Sequence, residues 1–253
     1  MAGLYVHVPF CHSKCDYCGF YSEKMNTDLA KLYVERVEQD FLKLPENHRN
    51  CINTIFIGGG NPLALDFNEF KRLIGIFQQR IDQTQIKEWT IEGNPENIDK
   101  NKVKLIASLP GARLSIGVQR LKNDQLKILG RKSSVDSIHR AFELALSDMN
   151  NLSADFILGV GECSGIADDL KSFINRFELK HISAYFLSIE PGTRFSEKVM
   201  RSEMIDPADL GPEEFYQVKS VLEQSGFEHY EISNYAKPGY RCIHNENYWK
   251  LDN

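Results

Sequence analysis

The chain lacks an excess of positive charge. Across its 253 residues, 30 Lys and Arg stand against 35 Asp and Glu, for a net charge of −5. No basic field therefore points to nucleic acid or to an anionic membrane surface. Apolar runs long enough to cross a bilayer are missing, so no membrane span is expected. A secretory leader has no room, because Met-Ala-Gly runs straight into the strand-like Leu4–Val8. Cysteine is scarce: there are six, three of them crowded into eight residues. That excludes an evenly paired disulfide framework and favours a reducing cytoplasm, where thiols serve metals or redox chemistry. Gly/Ser-rich hinges are missing too, so the chain reads as one large domain or two small ones with no flexible linker.

What is present is alternation. Short β-branched runs at Leu4–Val8, Thr54–Ile57, Trp89–Ile91, Arg113–Val118, Asp155–Leu158 and His181–Ser188 predict strands. Between them, apolar residues recur at three- and four-residue steps: Leu29, Tyr33, Val37 and Phe41; Phe67, Phe70, Ile74 and Phe77; Ile166, Leu170, Ile174 and Phe177. Strands alternating with helices predict an α/β fold with a parallel sheet, open or curled towards a barrel. After residue 211 the pattern changes to a helix around Glu213–Leu222, one more strand at His229–Tyr235, and a Pro238-Gly239 turn. The expected division is a core of residues 1–211 followed by a C-terminal region of residues 212–253.

Polar and glycine residues collect where the strands end, which is where parallel α/β sheets bind ligands. The first strand runs into Cys11-His12-Ser13-Lys14-Cys15-Asp16-Tyr17-Cys18. Three thiols on one polar loop are one short of a closed tetrahedral site. They suit a cubane iron–sulfur cluster with one open iron, or a structural zinc if the fold brings Cys242 or His244 alongside. The second strand ends in Gly58-Gly59-Gly60-Asn61-Pro62, which exposes backbone to a ligand; no Lys-Ser/Thr follows, so it is not a P-loop. Glu92, Gln119 and Arg131 are candidate polar contacts. Cys51 and Cys163 have no metal-like neighbours and read as structural.

Several segments, taken in order, resemble the radical S-adenosylmethionine (SAM) superfamily, and most closely its coproporphyrinogen-oxidase-like branch. They are Tyr5–Cys11, Ile55–Gly60, Ile91–Pro95, Leu114–Gln119, Leu129–Arg131, Ile182–Tyr185 and Ile189–Thr193. The resemblance implies a partial (β/α)6 barrel with parallel strands, and a [4Fe–4S] cluster on Cys11, Cys15 and Cys18 whose fourth iron is chelated by SAM. It also implies SAM contacts from Tyr5, Tyr17, Gly59, Gly60, Asn61, Glu92, Gln119, Arg131, Asp155 and Ala184. Arginine suits a carboxylate, and acidic or amide side chains suit ribose hydroxyls. Asn61 departs from the family's usual threonine, and Gly159-Val160-Gly161-Glu162-Cys163-Ser164 departs from a sequence closer to Gly-Leu-Pro-Gly-Gln-Thr.

Within that branch the resemblance implies one of two functions. An oxygen-independent coproporphyrinogen III oxidase would use SAM radical chemistry to decarboxylate porphyrinogen propionates. A heme chaperone of the HemW type would bind heme and pass it to an acceptor protein. Oxidases typically add a fourth cysteine where Phe20 stands, and carry a substrate-binding extension where only ten residues precede Cys11. His244-Asn245-Glu246-Asn247-Tyr248-Trp249 matches the H-N-x-x-Y-W motif associated with heme in the chaperones, an imidazole beside flat aromatic rings. The chaperone reading is the favoured one, with His244 as the heme contact, and it brings in an electron donor as a further partner. Relatives continue beyond the position of Asn253, so a truncated C-terminal cap is expected.

Overall fold

The structure, a computed structural model, describes residues 2–161, 165–201 and 207–250. Cys163 and the Asp252-Asn253 end lie outside these residues. The six expected strands form: β1 (Ala2–Val8), β2 (Ile52–Gly59), β3 (Glu88–Gly93), β4 (Ala112–Gln119), β5 (Leu152–Leu158) and β6 (His181–Phe186). They lie side by side in sequence order, and every neighbouring pair is parallel. This is an α/β architecture built on a parallel sheet.

Four of the crossover helices begin on a side chain that satisfies free backbone N–H groups, whereas the helix Ile166–Phe177 starts from Gly165 without one. Asn26 caps α1 (Thr27–Lys43), Asp66 caps α2 (Phe67–Gln78), and Asp99 caps α3 (Lys100–Ala107). After the short α4 (Asn123–Ile128), a reciprocal Ser134–Ser137 capping box opens α5 (Val135–Leu146). The chain then forms α6 (Ile166–Phe177), α7 (Arg194–Met200) and α8 (Pro207–Gln224). One apolar stripe differs from expectation. In α1 the buried residues are Ala30, Val34 and Phe41, while Leu29 is exposed. Tyr33 and Val37 pack against the core and Phe41 is buried in it, so only Leu29 of the expected stripe is turned outwards.

The expected strand at His229–Tyr235 is instead two short antiparallel strands, β7 (Glu228–His229) and β8 (Asn234–Ala236). The turn between them is held by Ser233 N donating to Glu231 Oε1. β8 pairs antiparallel with β6, so the sheet has eight strands and continues into residues contributed after 212. Helix α8 itself crosses residues 211 and 212. A last helix, α9 (Ile243–Lys250), carries the His244–Trp249 motif.

Strand pleating divides the sheet into two chemistries. Ile55, Ile57, Trp89, Ile91, Leu114, Ile116 and Ala154 face the helices and are buried. The alternating positions face the barrel interior, and they are polar: Glu88, Thr90 and Glu92 on β3, Arg113 and Ser115 on β4, Ser153 and Asp155 on β5. At the floor, Glu88 bonds Arg113 Nη2 at 3.2 Å and accepts the Ile243 and His244 N–H groups at 3.1 and 3.2 Å. A buried carboxylate thus caps α9 and docks it under the strands.

Candidate functional site

At the opposite end, the strand tips surround a cleft of about 600 Å³, within the size range of small-molecule sites. Cys11, Cys15, Tyr17, Cys18, Gly59, Gly60, Glu92, Gln119, Arg131 and Asp155 all line it. Ten of the residues singled out in the sequence therefore meet, although they come from four strands and two loops.

The cysteine loop is pinned from two sides. Asp16 N donates to Leu129 O at 3.0 Å, and Phe195 N donates to Asp16 O at 2.9 Å. The Asp16 carboxylate pairs with Lys198 at 2.7 Å and with Arg194 at 3.7 Å, which ties the loop to α7. Gly130 stands at φ +68°, and a Cβ there would lie 2.7 Å from Asp16 Oδ1, so the close approach needs glycine. Nothing local announced Lys198 as a partner; it lies 182 residues away in sequence.

The glycine loop crosses the chain just before Cys11. Gly60 N bonds Val8 O at 2.9 Å, and Asn61 N bonds Phe10 O at 2.8 Å. A Cβ on Gly60 would lie 2.8 Å from Val8 O, so only a bare backbone fits. The neighbouring Gly59 N donates to Glu92 Oε2 at 3.1 Å. Burial pushes the Glu92 carboxyl up to about 8, helped by nearby Asp155 and opposed by the Gly59 N–H. Asp155 rises to about 6, again chiefly through burial, while Ser183, Ser115 and Ser153 hold it down by hydrogen bonding. Two carboxyls of raised pKa facing one cleft mark a ligand site.

Arg131 connects the cysteines to the sheet. Its Nη1 donates to Asn94 Oδ1 at 2.9 Å and approaches Cys15 Sγ at 3.7 Å; its Nη2 donates to Gly117 O at 2.9 Å. Its Nε is buried and has no protein partner. Asn94, Ser115 and Tyr185, all on the cleft wall, were missed by sequence reasoning; Asn94 sat in view, inside the Gly-Asn-Pro motif that follows β3.

Four residues singled out in the sequence do not line the cleft. Tyr5 sits lower on β1, on the polar face of the sheet and half exposed, with its hydroxyl 3.3 Å from His7 Nδ1 and its pKa raised to about 12, first by partial burial and then by Glu92. Asn61 is buried, and its amide braces Asn97 Oδ1 at 2.6 Å and Asn94 N at 3.3 Å. Ala184 is buried in β6, where its N–H meets Ser233 O. His244 lies at the barrel floor, its Nδ1 2.9 Å from Thr54 Oγ1 and its Nε2 3.3 Å from Tyr248 Oη. Cys242 is there too, with Sγ 3.1 Å from Glu88 Oε1. The floor and the cysteine loop stand at opposite ends of parallel strands, separated by roughly 16 Å of strand. Neither Cys242 nor His244 can therefore complete a four-ligand zinc site with the three cysteines. Cys51 is exposed, contrary to the packed structural role expected of it, because the turn before β2 turns its thiol outwards.

This arrangement fits a three-thiol cluster with a chelating ligand. The three thiols share one mouth, Arg131, whose buried Nε has no protein partner, lines the same space, and the glycine backbone, Glu92 and Asp155 supply donors and acceptors there. The family model of the radical SAM superfamily matches residues 5–162. The heme chaperone HemW of Bacillus subtilis is 30% identical over 98% of this chain and 67% of its own length. HemW of Escherichia coli is 32% identical over 98% of this chain and 66% of its length. The chain thus spans about two thirds of these curated relatives. Among solved structures, the coproporphyrinogen III oxidase HemN of Escherichia coli superposes with a TM-score of 0.77 at 22% identity, covering 94% of this chain and 56% of that one; this is a likeness of fold. The chain belongs to the radical SAM superfamily, in the branch its HemW relatives occupy.

Proposed function

We propose that this protein handles heme: it binds a [4Fe–4S] cluster on Cys11, Cys15 and Cys18, SAM in the adjoining cleft and heme near α9, and delivers heme to an acceptor protein. Bound together, cluster and SAM supply one-electron chemistry fed by an external electron donor. In the cleft, Arg131 suits the SAM carboxylate, the Gly59-Gly60 backbone its amino group, and Glu92 and Asp155 its ribose hydroxyls. The surplus of acidic groups and the six cysteines fit a cytoplasmic protein with no nucleic-acid partner.

One observation carries the heme part. His244 is pinned at Nδ1 by Thr54, while its Nε2 is covered by the single 3.3 Å contact from Tyr248. Pinning one ring nitrogen while the other faces a ligand is the usual arrangement of a histidine that takes iron. Burial lowers the His244 pKa, keeping the imidazole neutral and able to ligate. Tyr248 and Trp249 are exposed on the same helix, so Tyr248 is free to swing aside and both rings can meet a porphyrin face.

Heme titration of the anaerobically reconstituted protein is expected to give a Soret band. His244→Ala is expected to weaken heme binding about tenfold, the loss of one coordinate bond offset by retained ring contacts. Decarboxylation of coproporphyrinogen III with SAM and a reductant, without heme binding, would replace this reading with the oxidase.

A further inference from the structure

Gln119 is the last residue of β4 and lines the cleft, and its backbone is strained. Its φ is +66°, in the region that side chains avoid. The hydrogen bond across it, Arg120 N to Val118 O at 2.9 Å, joins residues two apart. A positive-φ residue inside an i to i+2 hydrogen bond is a γ-turn of the rare, strained kind. The pairing of β4 with β5 slips by a residue here, between Gly117 and Gln119, so regular strand geometry is given up at this point. A glutamine does not hold such a conformation unaided. Surrounding structure must impose it.

The next residue supplies that constraint. Arg120 is only 1% exposed, and every branch of its guanidinium is tied. Nε donates to Gln125 Oε1 at 2.8 Å, Nη1 to Ile157 O at 3.1 Å and Glu214 Oε2 at 2.9 Å, and Nη2 to Glu214 Oε1 at 2.9 Å. Glu214 is fully buried and also accepts Gly159 N at 2.7 Å. Two charges withdrawn from water in a bidentate geometry form a rigid pair, and their removal from solvent is costly unless geometry repays it. The pair joins the tips of β4 and β5 to α4 and α8. Glu214 also lies outside the residues 5–162 that the family model matches.

We propose that the Arg120–Glu214 pair is a positioning lock: helix α8, through Glu214 and Arg120, holds Gln119 in its strained turn with the side chain in the cleft, and so sets affinity for SAM. Arg120 and Glu214 are positioning residues, because neither lines the cleft itself. The inference rests on SAM being the cleft ligand.

The test uses the full, anaerobically reconstituted chain, with SAM affinity measured by titration calorimetry and melting temperature measured alongside. The paired apolar replacement Arg120→Met with Glu214→Leu removes the lock without leaving a lone buried charge. It is expected to weaken SAM binding at least tenfold while the melting temperature stays within a few degrees. In a Gln119→Ala background, the same pair of changes should add less than twofold, because the residue it positions has lost its side chain. Unchanged SAM affinity in the paired variant, or an equal loss with and without Gln119, overturns the lock. Gln119→Gly, with the pair intact, should raise the melting temperature, since glycine takes positive φ without strain. A melting temperature that fails to rise also overturns the proposal; should the paired replacement not fold, Arg120→Lys, which keeps the charge but breaks the bidentate fork, is expected to weaken SAM binding, and unchanged affinity there overturns the lock. A wild-type protein that binds no SAM sinks the reading of the cleft instead, leaving the Gln119→Gly melting result to report on the strain alone.

Discussion

Cys15→Ser is expected to cut iron content after anaerobic reconstitution from about four per chain to less than about one. The reason lies in the number of thiols and in their surroundings. Three cysteines already leave one iron without a protein ligand, so a two-thiol loop cannot hold a cubane. The loop is also tuned for metal. Burial, followed by the neighbouring Cys18 and Cys15, pushes the Cys11 thiol up to about 11. Burial raises Cys18 as well. Without metal these thiols keep their protons; an incoming cation supplies the positive charge that releases them. Serine offers an alcohol far harder to deprotonate, and it loses the sulfur that Arg131 Nη1 approaches. Cys51→Ser is the matched control, since that thiol is exposed and belongs to the turn before β2. Iron and visible absorbance measured on both variants check the assignment; a Cys15→Ser protein with wild-type iron would remove the cluster from this loop.

The parts of this molecule visible in its sequence are those written by local chemistry. β-branched runs marked all six parallel strands because such strands are buried on the helix side and need continuous apolar residues there. Cys11, Cys15 and Cys18 were visible because their spacing alone confines them to one loop. Failures came where a neighbour distant in sequence decides the outcome. Of the α1 stripe only Leu29 is turned outwards, because Ala30 beside it lies on the buried face while Tyr33, Val37 and Phe41 pack on the core as expected. His229–Tyr235 broke into two strands around a Glu231-capped turn that β propensity does not register. Asn61 and Ala184 do not line the cleft: one braces two loops and the other is buried in β6. Contacts such as Glu88 with Arg241 O-bound Arg113, or Arg120 with Glu214, span tens of residues and leave no local trace. The position of His244 was equally hidden. Its motif was legible, but only the fold sets its ring beside Thr54 at the floor, 190 residues away in sequence.

Glu92→Gln is expected to change the pH dependence of stability and to weaken SAM binding at the same time. Without ligand, Glu92 has its pKa raised from 4.5 to about 8, and Asp155 from 3.8 to about 6. A carboxyl whose pKa is higher folded than unfolded favours the folded state when protonated. Its contribution is full below the unfolded pKa and is lost as pH rises through the folded one. Glu92 therefore stabilises the ligand-free chain below about pH 4.5 and loses that contribution by pH 8, while Asp155 does so between 3.8 and 6. From pH 5 to pH 8 the two together withdraw on the order of 5 kcal/mol. Glutamine retains the shape and an acceptor for Gly59 N–H but carries no proton to lose. The variant should hold its stability from pH 6 to 8, where the wild type declines, and keep the Asp155 slope below pH 6. Urea midpoints of the ligand-free proteins at pH 5, 6, 7 and 8 measure the difference, and a variant that keeps the wild-type slope above pH 6 would sink the assignment. With SAM in the cleft as proposed, the same substitution would remove a carboxylate hydrogen bond to the ribose, worth about 1.5–3 kcal/mol, so SAM affinity should fall at least tenfold at pH 8. A residue that lowers the stability of the empty protein at neutral pH and is recovered on binding is one kept for its ligand.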